Sequence, residues 1–121
     1  MTDYKRKPSE KIVRDKTVAV AMEHEGIKLT INDWRYCTAN EAVWFLLQRL
    51  KEEADTFLLA KNKDERVDKL VDLTEIVFSL TAHHGFPIEM IADFAAAKRE
   101  DLGTFDNNLI VEFDKLKKEN T

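Results

Sequence analysis

The chain has 121 residues, 44% of them hydrophobic and 35% charged, with a formal net charge of −4. That length suits one domain with a real core and a well-solvated surface. Three glycines and two prolines leave little room for tight turns, so long helices with few connections are expected. The acidic balance gives no reason to expect general nucleic-acid affinity, which needs a basic footprint. Lys5-Arg6-Lys7 is read as a solvated end. No stretch approaches the roughly 20 apolar residues of a membrane span. The polar N-terminus lacks an apolar signal-peptide region. The single Cys37 excludes an internal disulfide and is read as a packed small hydrophobe. A cytoplasmic location is expected.

In chain order, Ser9 and Glu10 open an apolar-periodic run that Gly26 closes, a first helix with Ile12, Val13, Val20 and Met22 as its contacts. Residues 27–31 then alternate apolar and polar, the pattern of a short extended segment. Thr38 and Glu41 form a capping-box pair for the second helix. Its apolar stripe is Val43, Leu46, Leu47, Leu50, Ala54, Phe57 and Leu58, widened by Trp44 and Phe45. Asp64 is the expected N-cap of the third helix and Gly85 its end, with Val67, Leu70, Val71, Thr74, Val77, Phe78 and Thr81 as the core face. Pro87 starts a fourth helix with Ile88, Ile91, Phe94 and Ala95 inward, ended by Gly103. A second short extended segment is expected near 109–111, and the core spans about 9–112 with frayed ends. The fold class is all-α: one domain over 1–121, a bundle of four main helices. Helices two and three are apolar over more than one face, so a homodimer or dimer of dimers is expected to complete it.

The acids carry the chemistry. Glu52, Glu53 and Thr56 run along one flank of helix two, and Asp68, Asp72, Glu75 and Ser79 line helix three opposite its expected core face. Such a stripe is ordinarily a solvated face. This one lacks interleaved bases, and Asp68 and Asp72 are like charges at i,i+4, an arrangement that costs a few tenths of a kcal/mol per pair. Carboxylates on facing helices are what Mg²⁺ needs, together with the oxygens of a bound phosphate. Arg14 with Lys16, and Lys98 with Arg99, are candidate phosphate-binding pairs. His83-His84 caps the C-terminus of helix three through the helix dipole. The chain has no Gly-rich phosphate loop and no Ser/His/Asp or Cys/His set.

The order of motifs resembles small MazG-like, all-α nucleotide pyrophosphohydrolases, relatives of phosphoribosyl-ATP pyrophosphatase. Ile12-Val13-Arg14-Asp15-Lys16 resembles the family's "LVRDKI" opening. Leu50-Lys51-Glu52-Glu53-Ala54-Asp55-Thr56-Phe57 looks like its "LxEExxEF" helix, and Leu70-Val71-Asp72-Leu73-Thr74-Glu75-Ile76-Val77 its "LADxLEVI" helix. His84-Gly85-Phe86-Pro87 is similar to "HGIS", and Lys98-Arg99-Glu100 through Gly103-Thr104-Phe105 to "KREERGGF". Leu109-Ile110-Val111 matches the closing apolar segment, so the likeness runs from about Lys11 to Glu112.

The resemblance implies hydrolysis of a nucleoside triphosphate between its α and β phosphorus, releasing pyrophosphate and a monophosphate, as in house-cleaning enzymes. It implies Mg²⁺, with Mn²⁺ as a substitute, held by Glu52, Glu53 and Asp72 with help from Asp68 and Glu75. Glu52 or Glu53 would serve as the water-activating base, and Arg14, Lys16, Lys98, Arg99 and Lys69 would hold phosphate. The family pattern is EExxE followed by ExxD. Here the third acid falls on Thr56 and the fourth on Lys69, so two of the pattern's acids are replaced. An ammonium at a carboxylate position either competes with the metal or touches substrate phosphate. The alternatives are a catalytically impaired relative that binds a nucleotide as a regulator, and a helical interaction module.

Overall fold

The computed structural model describes residues 9–116, so the basic cluster at Lys5-Arg6-Lys7 and the outermost ends lie outside the described residues. The chain divides into two compact units, Met1–Pro87 and Ile88–Thr121. Among the described residues there are four α-helices: α1 (Thr17–Glu23), α2 (Ala39–Leu59), α3 (Lys63–His83) and α4 (Ile88–Leu102). Short 3₁₀ turns occupy Ile31–Asp33 and Phe113–Leu116. No strand occurs among the described residues, so neither 27–31 nor 109–111 pairs as one. An extended segment without a partner leaves its backbone groups to water.

Helix α2 starts where its cap requires: the Thr38 hydroxyl accepts from Glu41 N at 3.2 Å, and Glu41 Oε1 accepts from Thr38 N at 3.1 Å. The start of α3 differs from expectation. Asn62, not Asp64, is the N-cap, its side chain accepting from Glu65 N at 2.9 Å, and Asp64 sits in the first turn. Asn and Asp cap equally well, and Asn62 comes first. At its far end Gly85 takes φ +75, and Phe86 N donates to Thr81 O at 3.1 Å, a Schellman closure that only a residue without Cβ adopts freely. His83 and His84 place Nδ1 2.8 Å from the Ser79 and Leu80 carbonyls, the expected capping role.

Helix α1 is shorter than the sequence implies, beginning at Thr17 rather than at Ser9. Arg14 and Lys16 therefore precede the helix. The β-branched pair Ile12-Val13 is a weak helix former. Lys11 and Ile12 instead line a crevice with Phe45, Gln48, Arg49 and Glu52, as a strap lying on α2.

The short connection at 60–62 turns the chain back, so α2 and α3 pack as an antiparallel hairpin. The core is small: Ala42, Trp44, Phe45, Leu46 and Ile76 are its buried apolar residues. Trp44 and Phe45 meet edge to face at 5.2 Å, and the Arg35 guanidinium stands 5.8 Å over the Phe45 ring.

The inward face of α3 is the main correction to the sequence reading. Lys69, Asp72, Leu73, Ile76, Ser79, Leu80 and Thr81 are its buried or half-buried positions, most of them at the i, i+3, i+4, i+7 spacing of one face, and of the expected core face Thr81 is buried. The expected core residues Val67, Leu70 and Val71 are 50%, 51% and 54% exposed. With Thr74, Glu75 and Phe78 they line an open apolar groove of about 330 Å³. Likewise Ala54 and Leu58 of the expected α2 stripe are exposed, whereas Glu53 is buried. In the second unit α4 buries none of its residues, and Ile91 and Phe94 stay exposed.

With so small a core, Trp44→Ala is expected to cost about 3 kcal/mol or more. Leu58→Ala, at an 81% exposed site, is expected to stay within about 0.5 kcal/mol. Urea unfolding followed by circular dichroism checks both.

Candidate functional site

The site is built where the strap, α2 and α3 meet, and Glu52, Glu53 and Asp72 there each face a cation. Glu53 is the only buried charged residue among the described residues. Its Oε1 is 3.3 Å from Arg49 Nη2, one turn back on the same helix, and its Oε2 accepts from Lys69 Nζ at 3.1 Å across the hairpin. A buried carboxylate with no counter-charge would cost several kcal/mol, on the order of 3–5, so these cations are a condition of its burial.

Glu52 pairs with Lys11 of the strap, Oε2 to Nζ at 3.1 Å, with the Glu52 side chain 29% exposed. Asp72 pairs with Arg14, also of the strap: Nη2 donates to Oδ1 at 2.7 Å, a short charge-assisted bond. That bond is the main reason the Arg14 guanidinium is held above its ordinary pKa. The fields of Asp72, Glu75 and Asp68 add to it, and desolvation opposes it. Asp68 and Glu75 are themselves exposed, so they contribute at range. Thr56 turns back to its own helix, its hydroxyl donating to Glu53 O at 3.0 Å. Lys16 is the N-cap residue of α1 and exposed, and Lys98 and Arg99 lie exposed on α4 in the second unit.

The structure thus brings together Arg14, Glu52, Glu53, Lys69 and Asp72, with Lys11 and Arg49 added. Sequence reasoning missed those two. The Arg49–Glu53 pair has a visible signal, opposite charges at i,i+4. Lys11–Glu52 has none, because it joins residues far apart in the chain. Arg35 is a further clasp, reaching Glu10 at 3.3 Å and Glu41 at 3.7 Å.

Whether these residues suit Mg²⁺ turns on the donors each helix offers. Among the described residues no three Asp, Glu, His or Cys side chains stand close enough to hold a metal by themselves. Glu52 and Asp72 nevertheless offer hard carboxylate donors, one on each helix, with side chains 29% and 27% exposed. Mg²⁺ commonly takes one or two carboxylates and completes its shell with water and substrate phosphate.

Both members of the Arg14–Asp72 pair are partly solvated, 53% and 27% exposed. Arg14→Met is therefore expected to cost less than about 1 kcal/mol at physiological salt, and less still in 1 M NaCl. Denaturation midpoints at the two salt concentrations measure this.

Comparison with protein-family models, with curated proteins and with solved structures returns no match.

Proposed function

We propose that the chain is a divalent-cation-dependent nucleoside triphosphate pyrophosphohydrolase, converting a triphosphate to a monophosphate and pyrophosphate. One observation carries this reading. Three segments that resemble motifs of one hydrolase family meet through ion pairs, Arg14 of the first on Asp72 of the third and Lys11 beside the first on Glu52 of the second. The first is distant in sequence from the other two, so chance likeness gives no reason for it to converge on them.

The ion pairs also suit a ligand that is both cation and polyanion. Glu52 and Asp72 would hold Mg²⁺, or Mn²⁺ in its place. When bound, the ion neutralises charge on the phosphate oxygens and lowers the pKa of a bound water. Lys11 and Arg14, exchanged off their acids, would take phosphate oxygens, Arg14 as a fork and Lys11 as a point charge. Glu52 is the better candidate than Glu53 for receiving the proton of the attacking water, because both Glu53 oxygens already face cations. Lys16, Lys98 and Arg99 remain candidates for the phosphate tail on the strength of the resemblance alone.

A second reading, a relative that binds nucleotide without turnover, is favoured by Lys69, whose ammonium sits on a carboxylate of the expected metal shell. Pyrophosphate release from a panel of ribo- and deoxynucleoside triphosphates, with Mg²⁺ or Mn²⁺ and an EDTA control, separates the two. Metal-dependent release is expected. Calorimetric nucleotide binding with no release would establish the second reading. Asp72→Asn is expected to lower turnover on the order of 10²-fold or more with helix content unchanged, and a fully active variant would remove Asp72 from the site.

The reading includes a homodimer, or a dimer of dimers. Five buried apolar residues among the described ones make a thin core, while Val67, Leu70, Val71 and Phe78 remain exposed along one groove. Sedimentation is expected to give twice the chain mass or more, with a concentration-dependent Tm. Val71→Asp is expected to shift the protein toward monomer and lower that Tm.

A further inference from the structure

The geometry points to Lys69 as the resident cation of Glu53, so that Glu53, Lys69 and Arg49 form a permanent, metal-independent triad joining α2 to α3. Glu53 is then a positioning residue, and a divalent ion depends on the substrate's phosphates to complete its shell.

The argument starts from burial. Glu53 is 5% exposed, and each of its oxygens already faces a cation, at 3.3 Å and 3.1 Å. A hydrated divalent ion would have to displace Lys69 from Oε2 and bring its own desolvation with it. Lys69 is 70% shielded at its side chain and lies on the inward face of α3, so displacement also means repacking the hairpin. Glu52 and Asp72 differ. Their partners come from the strap, through pairs whose cations are about half exposed, 47% for Lys11 and 53% for Arg14. Such pairs are worth little and exchange readily.

The chain therefore separates two jobs. One buried acid, neutralised from within, sets the spacing and register of α2 against α3. Two outer acids, neutralised by a detachable strap, face the ligand. The free protein should then bind a divalent ion weakly, and nucleotide should raise that affinity.

This inference rests on the pyrophosphohydrolase reading only for the last point; the triad is tested without substrate. Mn²⁺ uptake, read by electron paramagnetic resonance, and Tm in EDTA are measured for wild type, Glu53→Gln, Lys69→Met, Lys69→Arg and the Glu53→Gln/Lys69→Met double variant. Lys69→Met and Glu53→Gln are each expected to lower Tm in EDTA by on the order of 5–10 °C. The double variant should fall no further than the worse single one, and Lys69→Arg should keep most of the wild-type Tm. Wild type and Glu53→Gln should show the same weak Mn²⁺ uptake without nucleotide. If Lys69→Met does not fold, the comparison of wild type with Glu53→Gln decides alone. Tight Mn²⁺ uptake by the free protein that Glu53→Gln abolishes while Tm in EDTA holds would overturn the triad. Absence of pyrophosphate release would defeat the hydrolase reading and leave these results standing.

Discussion

A carboxylate taken out of water between two helices sets the terms for the first unit. Glu53 must be neutralised where it stands, and the hairpin supplies two cations to do it, Arg49 from its own helix and Lys69 from the next. A buried ion pair is a weak source of net stability against an apolar alternative, yet removal of one member is severe. It therefore acts as a register device. Sliding α3 by one turn would carry Lys69 off Glu53 and leave Oε2 without its cation, a penalty that an interface of Leu and Val would not impose.

The remaining charges follow from that choice. Once Lys69 belongs to Glu53, the inward face of α3 carries Asp72 as well, and the strap answers with Arg14. Glu52, next to Glu53 in sequence, points about 100° away around the helix and is met by Lys11. Charge is thus nearly balanced within the cluster, with three acids facing four cations. Under the proposed reading a metal–polyphosphate complex supplies both signs, whereas a bare anion or a bare cation would leave one partner of each pair unmatched.

Much of the helical order was legible in the residues. The Thr38–Glu41 box, the glycine stop at Gly85 and the proline start after Pro87 are local signals, and the helices begin and end near them. The inward face of α3 was not legible. Leu70, Val71 and Phe78 read as a core stripe because apolar periodicity assumes that the apolar face turns inward. Here the buried charge pair took the inward face and left that stripe outside, which only the tertiary arrangement reveals. The start of α1 was missed for a related reason: Lys11 and Arg14 are held by partners far along the chain, beyond the reach of local propensity. Among the site residues, the acids on α2 and α3 and the Arg14 cation were found as types, and their pairing was not.

The separation of partners along the chain also orders events in time. The Glu53–Lys69 link spans 16 positions within one hairpin, whereas Arg14–Asp72 spans 58. Loop-closure entropy grows with the logarithm of length, so the longer link costs about 1 kcal/mol more to close. An exposed pair returns less than about 1 kcal/mol, so Arg14 and Asp72 cannot close that loop unaided. On sequence separation alone the hairpin is expected to close before the strap settles on it.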